Sequence, residues 1–321
     1  ILYRQDADGD ENWHVYKVDL ENGKTTDLTP LKDVAAQIEA VSHRFPDEIL
    51  IGLNDRDPRF HDIHKVNLNT GERELVQQNP GYSGFLTDED YRVRFATRFD
   101  PDGSNVIFEP DGKEWKEFIR VPPEDTLTTS PVGFDKTGEL LYFIDSRGRD
   151  TGAMTTIDLK NGNQKVIAQN DKADIGGALV HPTENTIRAV SFEYLRNEWQ
   201  ILDPEIKADF DYLRSVADGE IVVASQSLDD KHWIVAYLKD DGPVNYYHYD
   251  RSGPEKKADF LFTNRKDLEG LPLTKMHPVE IKSRDGLTLV SYLTLPKDSD
   301  LDGDVRPNRP LPMVLNVHGG P

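Results

Sequence analysis

Val15-Tyr16-Lys17-Val18-Asp19-Leu20-Glu21-Asn22-Gly23-Lys24 is a β-prone run closed by an Asn-Gly turn, and this figure returns along the chain. It reappears as Ile63-His64-Lys65-Val66-Asn67-Leu68 with Asn69-Thr70-Gly71-Glu72, and as Thr155-Thr156-Ile157-Asp158-Leu159 with Lys160-Asn161-Gly162-Asn163. A looser copy is Tyr246-Tyr247-His248-Tyr249-Asp250 with Arg251-Ser252-Gly253-Pro254. Such a turn needs a residue that accepts positive φ, which glycine does without a Cβ clash. The four glycines stand 48, 91 and 91 residues apart. One period is therefore about 46 residues, and degenerate copies are expected inside the two longer gaps. The reading places them at Trp115 to Val121, turning at Pro122-Pro123-Glu124-Asp125, and at Trp199 to Leu202, turning at Asp203-Pro204.

A further strand precedes each copy, as at Glu48 to Leu53, Asn105 to Glu109, Glu139 to Ile144, Thr186 to Phe192 and His232 to Leu238. Another comes before that, as at Ile38 to His43 and Val132 to Asp135. Three or four short strands repeated at one period describe the blades of a β-propeller, against the competing reading of an irregular β-sandwich. The pattern predicts an all-β domain over residues 1–264 with five full blades and a partial first one, part of a seven-bladed ring incomplete at its N-terminus. The stretch Ile206 to Val216 reads as either an outer strand or a helix. Asn264 to Leu273, polar and broken by Gly270 and Pro272, reads as a linker. Beyond it a hairpin follows, Pro278 to Lys282 and Leu287 to Leu295 about a turn at Arg284-Asp285-Gly286, out of step with the blades. A polar loop from Pro296 to Pro310 leads to Met313-Val314-Leu315-Asn316-Val317, which reads as a buried strand, and to His318-Gly319-Gly320-Pro321.

The bulk composition narrows the function classes. The chain has 321 residues and a formal net charge of −20, which disfavours nucleic acid as partner because neutralising phosphates needs clustered Lys and Arg. It lacks cysteine, so disulfides, thiolate nucleophiles and Cys-ligated metals are excluded within it. No apolar stretch approaches the length of a membrane helix, so a soluble protein is expected, of cytoplasmic or periplasmic compartment.

Other constellations carry less. Asp6, Asp8 and Asp10 surround Gly9, but an EF-hand wants its glycine at the sixth position. Asp298, Asp300, Asp302 and Gly303 fit the first half of that pattern, while Arg309 occupies the twelfth position where a bidentate carboxylate belongs, so an exposed loop is expected. His61 and His64 lead into a strand, where a spacing of three does not align side chains for zinc. Trp13, Trp115, Trp199 and Trp233 are expected in blade strands as packing residues. Gly81-Tyr82-Ser83-Gly84-Phe85 imitates a nucleophile elbow, yet its fifth residue is Phe85 and no helix is expected after it. Neither metal nor cofactor is expected.

A strand ending in His318-Gly319-Gly320-Pro321, after a hairpin reading Arg284-Asp285-Gly286 and Val290-Ser291-Tyr292-Leu293-Thr294-Leu295-Pro296, resembles the entry to the peptidase domain of the prolyl oligopeptidase family. The likeness is to its acylaminoacyl-peptidase and dipeptidyl-aminopeptidase branch. Asp8 to Trp13 and Asp145 to Thr151 are similar to propellers of bacterial members. The resemblance implies that residues 265–321 open an α/β-hydrolase domain, the first strands of which follow the propeller. It implies a serine peptidase cleaving short peptides through an acyl-enzyme, with the catalytic Ser, Asp and His in the hydrolase domain beyond Pro321. Backbone N–H donors aimed at a developing oxyanion are each worth about 3 kcal/mol in such a reaction. By resemblance Gly319 or Gly320 supplies one donor, preferably Gly320, with His318 orienting the loop. The propeller is then expected to gate substrates, and Glu193, Arg196 and Glu198 are expected on a long loop that faces the cavity or simply meets solvent. The partners implied are peptide substrates and the hydrolase domain. The competing class is a TolB-like propeller that acts as a protein- or ligand-binding module.

Overall fold

The structure is a computed structural model that describes residues 1–317 and 319. The chain forms two compact units, residues 1–171 and 172–321. In the first unit, β1 (Leu2–Gln5), β2 (His14–Val18) and β3 (Thr25–Asp27) make a three-stranded antiparallel sheet. Three four-stranded sheets follow. They are β4 (Ala36–Val41), β5 (Glu48–Asp57), β6 (Phe60–Asn67) and β7 (Arg73–Gln77); β8 (Gly84–Thr87), β9 (Val93–Phe99), β10 (Asn105–Asp111) and β11 (Glu114–Val121); and β12 (Ser130–Phe134), β13 (Leu140–Asp145), β14 (Ala153–Asp158) and β15 (Gln164–Ala168). In every sheet each strand pairs with the next, as hairpin connections require.

The second unit opens with a three-stranded sheet of β16 (Ile175–Val180), β17 (Ile187–Glu193) and β18 (Asn197–Ile201). Helix α1 (Lys207–Leu213) then stands where a fourth strand would come, which resolves the stretch after Asp203 as helical. A four-stranded sheet follows, of β19 (Glu220–Gln226), β20 (His232–Leu238), β21 (Asn245–Asp250) and β22 (Lys257–Thr263), and then a hairpin of β23 (Met276–Lys282) and β24 (Thr288–Thr294). Six blade sheets are therefore present, the first and fifth with three strands.

Strand alternation explains why the sheets stack within each unit. On β5, Ile49, Ile51 and Leu53 join Val15, Leu28 and Ala36 in a core against the first sheet. Leu50, of opposite parity, instead packs with Ile63 and Tyr91 toward the third sheet. Ile107 and Phe95 of the third sheet meet Phe134, Leu141 and Phe143 of the fourth. In the second unit Phe210 and Leu213 of α1 fill the space between Leu179 and Ala189 on one sheet and Trp233, Val235 and Tyr249 on the other. Each such side chain contributes roughly 1.5–3 kcal/mol by leaving water.

A buried ionic network accompanies that core, and nothing in the sequence pattern signalled it. Arg188, 2% exposed, donates to Asp203 at 2.7 Å and to Asp230 at 2.5 Å. Asp230 also accepts from Trp233 Nε1 at 2.7 Å and from Arg251. Asp209 of α1, fully buried, accepts from Tyr249 Oη at 2.6 Å, from Arg251 at 2.9 Å and from Lys256. Burial alone would raise the Asp209 carboxyl, but these donors outweigh it and hold its pKa below the ordinary value.

The repeated turns share one geometry. Gly23, Gly71 and Gly162 have φ of 71°, 75° and 74°. Each donates its N–H to the residue four before it, at 2.8, 2.8 and 2.7 Å to Asp19, Asn67 and Asp158. Those three side chains accept in turn from the backbone N–H two residues on, and Asp250 does the same toward Ser252 at 2.9 Å. The looser copy keeps this Asx bond, but Gly253 is not in the left-handed region.

Three expectations are corrected. The degenerate third-sheet copy turns at Asp111-Gly112, where Gly112 has φ of 65° and Asp111 pairs with Glu114, so Trp115 to Val121 is the outer strand β11 and Pro123–Asp125 merely a 3-10 turn. Pro110 masked the signal, because it sits where a strand reading would break. Trp13 lies outside the strands and is 38% exposed, with Arg4 over its ring at 5.8 Å. Met313 to Val317 form no strand, with Val314 94% exposed, because a strand needs a lateral partner and none of the described residues pairs with this run.

Gly162→Ala is expected to lower stability by roughly 1–2 kcal/mol through the left-handed penalty, whereas Gly253→Ala changes it by less than about 0.5 kcal/mol; urea denaturation of both variants compares them. Asp209 gives a second expectation. Its folded pKa lies below the unfolded one, near 3.9, so its stabilisation is complete above about pH 5 and is withdrawn as pH falls through the folded value. The urea midpoint should drop below about pH 4, and Asp209→Asn should shallow that drop while lowering the plateau.

Candidate functional site

The two glycines singled out by sequence fare differently. Gly319 is exposed, and the position a Cβ would take on it has no atom within 4 Å. Gly320 and His318 lie outside the described residues. The imitation elbow is structural. Ser83 immediately precedes β8, and its Oγ bonds the Thr97 carbonyl at 2.8 Å and sits 3.1 Å from Thr97 Oγ1.

Glu193, Arg196 and Glu198 are not on a long loop. Glu193 ends β17 and pairs with Asn197, so Tyr194, Leu195 and Arg196 form a tight three-residue turn into β18. Glu193 and Glu198 are exposed. Glu198 nevertheless lines a cleft of about 570 Å³ within the second unit, with Asn197, Trp199, Arg214, Asp218, Glu220, Lys239, Asp240 and Lys275 among others, and Arg196 reaches into it. Its Nη2 lies 2.9 Å from Asp240 Oδ2 and its Nη1 lies 3.9 Å from Glu220. Asp240 also accepts the Met276 N–H at 2.9 Å. Burial would raise the Asp240 carboxyl, yet the Met276 amide and the Arg196 guanidinium hold it below its usual value.

The cleft floor is stiff. Trp199 Nε1 donates to the Ile221 carbonyl at 2.8 Å, and its ring meets Phe210 at 5.6 Å. Asn197 Oδ1 is buried without a hydrogen-bond partner among the described residues. Among the described residues the lining sets Arg196, Arg214, Lys239 and Lys275 beside Glu198, Asp218, Glu220 and Asp240, an arrangement of charges suited to binding. Sequence reasoning found Arg196 but missed Asp240, which sits just after β20 with only a neighbouring Lys239 and Asp241 to mark it.

The remaining candidates are quickly placed. His61 and His64 both fall on β6 three apart and so face opposite sides. Among the described residues, Asp300, Asp302 and Asp304 bring carboxylate atoms within 4.8 Å of one another. Asp300 is committed to its own turn, accepting from Gly303, Asp304 and Val305 amides at 2.9, 3.1 and 3.0 Å. Among the described residues no helix is long and apolar enough to cross a membrane. Ser83→Ala should leave any hydrolytic activity of the whole protein unchanged, as measured by initial rates on a peptide substrate, since Ser83 Oγ serves only the β9 strand.

No protein-family model matches the chain. Over its full length the chain is 45% identical to dipeptidyl aminopeptidase BIII of Pseudoxanthomonas mexicana, across 323 residues, and covers 47% of that protein. It is 32% identical across 352 residues to dipeptidyl peptidase family member 6 of Caenorhabditis elegans, again covering 47%. The chain thus spans about half the length of the curated relatives it matches. Among solved structures, prolyl oligopeptidase B from Galerina marginata superposes with a TM-score of 0.58 at 14% identity, over 93% of this chain and 45% of that one. A puromycin hydrolase superposes at 0.57 and 12% identity, over 90% and 47%. A prolyl endopeptidase does so at 0.51 and 13%, over 92% and 53%. These likenesses show the fold, a β-propeller.

Proposed function

We propose, from the premise that this chain carries the β-propeller of the prolyl oligopeptidase family and is homologous throughout to a dipeptidyl aminopeptidase, that the whole protein is a serine peptidase releasing dipeptides from the amino ends of short peptides. The observation that carries the reading is the 45% identity, which covers all of the chain. Residues 1–264 form the propeller, one part of a seven-bladed ring, and residues 265–321 open the hydrolase domain, with β23 and β24 as its first strands.

In this reading a serine of the hydrolase domain attacks the scissile carbonyl, its proton passing to a histidine. The negative charge that develops on the carbonyl oxygen is met by backbone N–H groups, one of them from Gly319 or Gly320, with Gly320 preferred and His318 orienting the loop. Adjacent glycines permit that approach because neither bears a side chain between amide and substrate. The tetrahedral adduct collapses to an acyl-enzyme as the amine leaves with the proton, and water then releases the dipeptide. The propeller limits access to short peptides, and this chain by itself lacks the nucleophile. No cofactor enters the reaction.

Assay of the whole protein with dipeptidyl, single-residue and N-acetylated dipeptidyl anilides tests the reading. Release from the free dipeptidyl anilide alone, abolished by a fluorophosphonate, is the expected result; a rate indifferent to fluorophosphonate overturns it. Gly320→Pro, which removes one N–H, should lower kcat roughly 10²–10³-fold with a small change in KM.

A further inference from the structure

The sheets of each unit meet through apolar cores, but the β23–β24 hairpin meets the blades through a polar seam. No residue of β23 or β24 is buried, and Ile281, Leu289 and Tyr292 are 50%, 48% and 39% exposed. The contacts that fasten the hairpin converge on the β17–β18 turn and on Asp240. Asp240 accepts the Met276 N–H at 2.9 Å, while Arg196, paired with Asp240 at 2.9 Å, donates to the Met276 carbonyl. Both polar groups of the first residue of β23 are thereby held by one ion pair. Tyr194 Oη donates to Glu280 at 2.7 Å, and Lys172 lies 3.7 Å from that carboxylate and 4.8 Å from the Tyr194 ring centre. On β24, Tyr292 Oη donates to the Leu195 carbonyl at 3.1 Å. Lys275, just before β23, pairs with Asp218 at 3.0 Å.

The geometry points to an electrostatic latch, in which the Arg196–Asp240 pair clamps Met276 and so sets whether the β23–β24 hairpin lies docked on the blades. Three features make the latch reversible. Arg196 is 41% exposed at its side chain, so salt reaches the pair. The cleft beside it, lined by Arg196, Asp240 and Lys275, leaves the seam open rather than packed. Undocking uncovers only partly buried apolar side chains on the strands themselves, because no residue of β23 or β24 is fully buried and only Leu295, just after β24, is. The clamp nevertheless has direction, since Asp240 is only 14% exposed and takes two donors, whereas the Lys275–Asp218 and Lys172–Glu280 pairs are open to solvent and worth little. Arg196 is a positioning residue in this arrangement. Its consequence for catalysis rests on the peptidase reading, because the hairpin leads along the chain to the Gly319-Gly320 donor loop. The latch itself does not depend on that reading.

Hydrogen exchange of the whole protein, followed by mass spectrometry, isolates the device. Segment 275–282 reports the latch and segment 232–238, in β20, reports the blades. In the native protein, raising salt from about 0.1 to 1 M shortens the screening length from about 10 to 3 Å and should accelerate exchange in 275–282 only. Arg196→Ala should make that segment exchange roughly tenfold faster at low salt and insensitive to salt thereafter. Asp240→Asn keeps an acceptor for the Met276 amide but loses the charge, so its exchange should be intermediate and equally insensitive to salt. Exchange of 275–282 that is unaltered in Arg196→Ala overturns the latch, and so does an equal acceleration of 232–238, which would make Arg196 a residue of general blade stability. Neither outcome bears on whether the protein cleaves anilides.

Discussion

A β-sheet with apolar side chains on both faces cannot stop at one layer. On β5 the residues Ile49, Ile51 and Leu53 face one way and Leu50 the other, and all four are fully buried. Water must be excluded from both sides of that strand, so a sheet has to lie on each. The blade arrangement inside each unit follows from this demand, and the same alternation recurs on β10, where Val106 and Phe108 pack apart from Ile107. The outer strands answer to a weaker constraint. They have one inner neighbour and an open edge, and β7 and β22 are accordingly rich in exposed residues. Where the fifth sheet has no fourth strand, α1 supplies the missing apolar cover with Phe210 and Leu213.

This ordering accounts for what the sequence made legible. The central strands announce themselves through β-branched and aromatic alternation, and the turns through glycine at a steady spacing. The expected strands at Glu48, Glu139, Thr186 and His232 therefore lie within β5, β13, β17 and β20 with small boundary shifts. The third sheet departs by one strand from the expected pattern because Asp111-Gly112 follows Pro110, which hides the turn, and the next β-prone run is the outer strand β11. Gly253 shows the converse. Its spacing is right, yet the element that turn shares with the other three is the Asp250 side chain on the Ser252 amide.

The candidate site was legible in fragments. Arg196 is marked in the sequence only as one charge of a Glu193, Arg196 and Glu198 group, and its partner Asp240 is 44 residues away and reaches it only through the packing of two sheets. The Asp209 and Asp230 network is of the same kind, assembled from residues that no local window joins. A strand such as Met313 to Val317 carries an intrinsic preference that a neighbour must satisfy, and hydropathy alone does not name the neighbour. The double glycine suggests chemistry by residue type alone, while its geometry against a substrate belongs to the fold around it.

The repeated turns carry one more consequence. Asn22-Gly23 and Asn161-Gly162 are the dipeptide most prone to spontaneous deamidation, because an unhindered glycine nitrogen can attack the side-chain carbonyl and close a succinimide ring. In both turns the asparagine is tethered at each end. Asn22 donates to Asp19 at 2.8 Å and accepts from the Lys24 amide at 2.8 Å, and Asn161 donates to Asp158 and accepts from Asn163 at 2.8 and 2.9 Å. Ring closure has to break both bonds first, so the aspartates that shape these corners also slow their chemical ageing.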